Sequence, residues 1–116
     1  MPVERITSTA SRVVVAIGDT VVADTTGARI LFETNLPPRY YIPFADIRSE
    51  LLTPTDTSTH CPYKGDARYW TVTVDGTEHP DIVWGYDDPI PESAEIAGFG
   101  SFYPSQVTLT VDGAPV

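Results

Sequence analysis

A chain of 116 residues, 41% hydrophobic and 20% charged, is of one-domain size. It buries roughly two-thirds of its unfolded surface, which supports a core without staples. Its formal charge of −9 disfavours a phosphate backbone as partner, and no apolar run is long enough for a transmembrane helix, so neither nucleic acid nor membrane is expected. The single cysteine, Cys61, forms no internal disulfide and excludes a four-cysteine zinc site, which points to a reducing cytoplasm.

Residues 1–11 lack the apolar stretch of a secretory signal and are expected to be a flexible N-terminus. Residues 12–116 are expected to form a single β domain, because prolines and glycines interrupt the chain too often for long helices. "RVVVAIGDTVVAD" reads as a hairpin with Gly18-Asp19 at its turn. "ARILFET" (28–34) gives a third strand and "RYYIP" a fourth, and "FADIRSELL" gives a turn and a further strand. Residues 60–68 read as a loop that enters a strand over 69–74. There Trp70, Val72 and Val74 alternate with Tyr69, Thr71 and Thr73, and Trp70 is expected to face inward. Asp75-Gly76 turns the chain into "HPDIVWGY". "PESAEIAG" is the one helix expected, with Pro91 in its first turn, Glu92 and Glu95 at the positive end of the dipole and Gly98 as its cap. Val107, Leu109 and Val111 alternate in a last strand. The fold class expected is mainly β, with one short helix near the C-terminus: the strands suggest two packed antiparallel sheets of short strands or a partly closed barrel.

Cations are unevenly placed. Five of the seven (Arg29, Arg39, Arg48, Lys64, Arg68) lie between positions 29 and 68, and the chain beyond Arg68 holds eight acids and no Lys or Arg. Such a cluster suits one small anion, or else surface ion pairs with nearby carboxylates. Cys61 as a nucleophile needs a base within reach. His60 is adjacent, but neighbours in extended chain face opposite ways, and His79 reaches it only through the fold. The alternative is a small packing residue. Lys64-Gly65 lacks the glycine-rich lead of a phosphate loop, though Lys64 and Arg68 can each donate to an anion. Glu33, at the end of an apolar strand, suits a general base or the ion-pair partner of Arg39 or Arg48. "DIRSE" puts Arg48 and Glu50 on one face of a strand, where they read as a structural pair. Tyr40, Tyr41 and Tyr63 stand in proline-bounded segments that can line a cleft.

"THCPYKGDARYW" resembles the signature of the bacterial domain-of-unknown-function 427 family, and the flanking "LFET", "PPRYYIPFADI", "IVWGYDDP", "AEIAGFGSFYP" and "VTLTVDG" agree in order. The resemblance covers nearly the whole chain from about residue 12. It implies a small β domain of tent-like shape (β-tent), in which two antiparallel sheets meet. Tent-fold proteins often carry zinc on two Cys-x-x-Cys pairs, and this chain, with one cysteine, departs from that pattern. Others hold a small ligand in an aromatic cleft, for which Trp70, Trp84 and Tyr86 are the candidates here. The family also carries a nucleotidyltransferase-type label. The residues lend it little: no Gly-Ser is followed by a spaced Asp-x-Asp, and the side chains of Asp87-Asp88 diverge in extended chain.

The function expected is binding of a small molecule of unspecified class in an aromatic and cationic cleft, without cofactor or metal. Its ligand residues are Glu33, Arg39, Tyr41, Arg48, His60, Cys61, Tyr63, Lys64, Arg68 and Trp84. The second expectation is an enzyme, of nucleotidyltransferase type or built on Cys61, Glu33 and Lys64. The third is a protein-interaction module whose open sheet edges support a homodimer.

Overall fold

The computed structural model describes residues 2–116. Its strands are β1 (Val3–Ser8), β2 (Val13–Ile17), β3 (Thr20–Thr25), β4 (Arg29–Glu33), β5 (Arg39–Pro43), β6 (Leu52–Cys61), β7 (Gly65–Val74), β8 (Thr77–Gly85), β9 (Phe99–Phe102), β10 (Thr108–Val111) and β11 (Ala114–Pro115). They form a seven-stranded sheet, β1-β4-β5-β9-β8-β7-β6, and a four-stranded sheet, β11-β10-β2-β3. Every strand pair is antiparallel. The protein is therefore mainly β and built of two antiparallel sheets, as its period-two sequence implies. No helix of the described residues is long and apolar enough to cross a membrane.

The β2–β3 hairpin turns at Gly18-Asp19, as read from the sequence, and Val13, Val15 and Val22 bury their β-branched side chains between the sheets. Opposite them stand Ile42, Val72, Val74, Val83 and Phe102 of the large sheet. Gly85 and Gly100 face each other across β8 and β9, and the Phe44 ring lies against both. A Cβ at Gly85 would stand 2.7 Å from the Phe99 carbonyl oxygen, so only glycine fits.

The outer face of the large sheet is also covered. Leu31, Tyr41, Ala67, Tyr69, Trp84, Tyr86 and Ile96 form a second buried cluster, with Val3, Ile6 and Phe99 packed beside it. Trp70, Val72 and Val74 do alternate with Tyr69 and Thr71, but Tyr69 and Thr71 are buried as well. A sheet covered on both faces hides both halves of its alternation.

Four sequence expectations are corrected. Residues 3–8, expected to be part of a flexible N-terminus, pair with β4 as an edge strand and bring Val3 and Ile6 to the outer cluster. The expected helix at 91–98 consists of 3-10 turns over Pro91–Ile96, with Ser93 off the helical conformation (φ −116, ψ 19). Its hydrogen bonds span three residues, Ser93 N to Ile90 O and Ala97 N to Ala94 O. Six residues with a kink cannot build the longer α ladder. The segment after Phe44 likewise makes two 3-10 turns, Phe44–Asp46 and Ser49–Leu51, before β6. Finally, residues 60–68 are not a long loop. β6 and β7 pair down to Cys61 opposite Gly65, and only Pro62, Tyr63 and Lys64 form the turn.

Candidate ligand site on the outer face of the large sheet

The tight β6–β7 turn fixes where Lys64 points. Its amide donates to the Cys61 carbonyl at 3.1 Å, and its own carbonyl accepts from Ile90 N at 2.9 Å. Gly65 follows at φ +118, with its Cα side pressed toward Pro89 and Asp88 backbone. The Ser93 hydroxyl donates to the Tyr63 carbonyl at 3.1 Å. The segment from Asp88 to Ser93 thus clamps the turn and directs the lysine stem back under the sheet.

There Lys64 Nζ donates to Glu33 Oε1 at 2.6 Å, and both residues are 8% exposed. Glu33 closes β4 on the face of Leu31, and Leu31 pairs directly with Arg39 of β5, so Arg39 and Tyr41 lie on that face too. Trp84 Nε1 donates to the Tyr41 hydroxyl at 3.2 Å, with the rings edge to face at 6.5 Å. The Arg39 guanidinium stands 5.6 Å from the Trp84 ring centre, and the Tyr103 ring lies tilted by 49° against the same indole at 4.7 Å. Tyr69 and Thr59 share a hydroxyl hydrogen bond of 2.9 Å.

Burial raises the Tyr41 phenol well above its ordinary value. The indole N–H donation opposes this in part, and the Glu33 charge adds to it. Burial also raises Tyr86. Both phenols are therefore neutral, hydrogen-bonding groups at any physiological pH. The face offers an ammonium, a carboxylate and phenols beside a wall of aromatic rings. It suits a polar group and a planar or apolar body.

Of the ten residues read as ligand-binding, Glu33, Arg39, Tyr41, Lys64 and Trp84 come together, and Cys61 borders them, half-buried, on the turn. Four do not. Arg48 pairs with exposed Glu50 at 3.0 Å and donates to the Val21 carbonyl, so the two do pair, though at the Ser49–Leu51 3-10 turn and not on a strand. His60 turns outward to Asp66 at 2.7 Å. Arg68 pairs with Asp87 at 3.1 Å and lies over Trp70. Tyr63 is exposed at the turn. His60 and Arg68 fall on the other face by strand alternation, Tyr63 lies in the β6–β7 turn, and Arg48 precedes the Ser49–Leu51 turn beside β3. Glu33's partner is Lys64 rather than Arg39 or Arg48. Cys61 makes no hydrogen bond to an imidazole or carboxylate among the described residues, and His79 stands at the far end of β7 from it, opposite Val72. Sequence reasoning left Tyr69, Tyr103 and Thr59 out of the site. The spacing of Tyr69 from Ala67 and of Trp84 from Tyr86 carried that signal, since both pairs keep to the face opposite Trp70 and Val72.

The sequence model of the family described as Domain of unknown function (DUF427), labelled NTP_transf_9, matches residues 5–113. The chain belongs to the DUF427 family. No curated protein matches it. The label suggests nucleotidyl transfer, which calls for clustered carboxylates that hold a divalent ion against a triphosphate. Among the described residues of this DUF427 chain, no three His, Cys, Asp or Glu side chains gather to hold a metal. The Asp87-Asp88 pair does not act as one, because Asp87 is committed to Arg68. The residues thus do not fit the ion that the label implies.

Proposed function

We propose that this DUF427 domain binds a small molecule on the outer face of its seven-stranded sheet. Lys64 and Glu33 meet the polar group there, and Trp84, Tyr41 and Tyr103 take the planar or apolar part. One observation carries the reading: a lysine–glutamate pair is almost wholly buried beside a tryptophan and tyrosines, in a chain whose other ion pairs are largely exposed. A buried pair is weak evidence for stability, since apolar residues often serve as well, so its placement calls for another role. Binding is favoured over transfer, because the cysteine lacks a base and the carboxylates are dispersed. The edge-pairing reading is weaker: Pro54 and Asp56 interrupt β6, and its register slips between Pro54 and Ser58. The two-sheet architecture supports a β-tent, and a lone unpaired cysteine supports a reducing, cytoplasmic setting.

The test is a thermal-shift screen with nucleosides, nucleoside triphosphates with and without magnesium, sugar phosphates and organic acids. A ligand at a hundred times its Kd adds about 2.7 kcal/mol of stability, a readable shift in a domain of this size. The expected result is a metal-independent shift in the wild type that Lys64→Met abolishes, each variant compared with its own unliganded melt. A magnesium-dependent shift with triphosphates would favour transfer instead. Silence across the whole panel would overturn the binding reading and turn the search to protein partners.

A further inference from the structure

The gap between β5 and β9 holds a separate feature. β5 and β9 pair only through Ile42 opposite Gly100 and Pro43 opposite Phe99. Beyond that point the ladder stops, and the Ser101 hydroxyl donates to the Tyr40 carbonyl at 2.9 Å in place of a backbone donor. Where the strands part, a cavity of about 400 Å3 opens, lined by Pro37, Tyr40, Phe102, Pro104 and Leu109, with Arg39 among its walls. That volume lies in the range of small-ligand pockets.

The lining is mostly apolar, and among its side chains Arg39 is the one that carries charge. Among the described residues the Arg39 guanidinium makes no hydrogen bond and no ion pair, and it lies against the Trp84 ring. In a protein of net charge −9, carboxylates are plentiful enough to pair five other cations. An arginine left without one at the wall of an apolar cavity is a ready anion receptor. A guanidinium fork matches a carboxylate in two parallel hydrogen bonds and is weakly hydrated, so it suits such a half-dry place.

We propose that the cavity where β5 and β9 separate binds an apolar monocarboxylate, with its carboxylate on Arg39 at the outer mouth of the gap and its hydrocarbon body between Tyr40, Phe102 and Leu109. The site goes beyond the one on the outer face. It shares only Arg39 with that region and needs neither Lys64 nor Glu33.

The experiment is an amide and methyl NMR titration of the full chain with 4-phenylbutyrate and hexanoate, and with the corresponding primary amides. Shifts are expected at Ser101, Phe102 and the Leu109 methyls for the acids. The uncharged amides should bind at least about tenfold more weakly, the loss typical of one charge-assisted hydrogen bond. Arg39→Gln should weaken the acids by a similar factor, and Lys64→Met should leave their affinity unchanged. Leu109→Trp, which fills the cavity, should abolish binding. If that variant does not fold, the comparison of acid with amide on the wild type decides. Equal binding of acid and amide, shifts centred on Lys64 and Tyr86, or no shift at millimolar acid would each overturn the proposal. Loss of the outer-face ligand with the acids still bound would sink the first reading and leave this one standing.

Discussion

Lys64 Nζ and Glu33 Oε1 meet at 2.6 Å although the two residues are 31 positions apart and belong to opposite margins of the large sheet's central strands. The β6–β7 turn supplies one and the end of β4 the other. Removal of either partner strands the other's charge or hydrogen-bonding capacity in a site that water barely reaches.

Lys64→Met alone is therefore expected to cost about 3 kcal/mol or more in urea unfolding, the typical cost of a broken buried pair. Lys64→Met combined with Glu33→Leu should recover most of that loss, because an apolar pair leaves no orphaned charge. The double variant should nonetheless fail to bind the outer-face ligand. Additive costs in the double-mutant cycle would show that the two side chains do not act as a pair.

Gly85→Ala tests the seat for Phe44. The new Cβ would fall 2.7 Å from the Phe99 carbonyl oxygen and about as close as 3.1 Å to the Phe44 ring. The strand cannot yield without moving β9, so a loss of about 1–3 kcal/mol is expected. A melting temperature equal to that of the wild type would show that β8 and β9 separate freely.

Alkaline pH tests the phenols. Burial raises Tyr41 and Tyr86 above the ordinary value of 10.0, so the folded state holds protons that the unfolded chain releases first. Their contribution is complete below pH 10 and declines as pH rises above it. Unfolding followed by tyrosinate absorbance should begin above about pH 10 and coincide with the loss of strand circular dichroism. Tyr41→Phe should soften this alkaline limit. At neutral pH it should cost about 1–3 kcal/mol, because the buried Trp84 N–H loses its acceptor. Free titration of all six tyrosines near pH 10 in a still folded protein would contradict this.

Acid tests the bulge in β8. Asp81 sits at φ 55 and accepts from the hydroxyls of Thr55 at 2.6 Å and Thr57 at 2.8 Å, which holds its carboxyl below the ordinary 3.8. A lowered pKa stabilises the folded state above 3.8 and ceases to do so as pH falls through the folded value. Asp81→Asn tolerates the left-handed backbone and isolates the charge. The variant should be less stable than the wild type at neutral pH, and the gap should close as pH drops below 3.8. A gap that persists unchanged in acid would assign the stabilisation to the backbone turn alone.

The local alternation of small, β-branched and aromatic residues settled a great deal. Val13 to Thr25, Arg29 to Glu33 and Tyr69 to Val74 read as strands because period two is a property of consecutive residues. Gly18-Asp19 and Asp75-Gly76 read as turns because their chemistry is local. β6 escaped, since its exposed run of threonines around Pro54 has no apolar face to alternate. The first strand escaped for a similar reason: Val3 and Ile6 find apolar neighbours only when β4 and the 3-10 segment arrive beside them.

Sequence alone thus determined the fold class, the principal hairpins and five of the residues that gather on one sheet face. Only the tertiary structure decided which face was which, that both faces of the large sheet are buried, and that Lys64 rather than an arginine meets Glu33. The reason is physical. Alternation says that two neighbours point apart, but not which side will be covered, and a pairing between distant strands depends on register that no local pattern encodes.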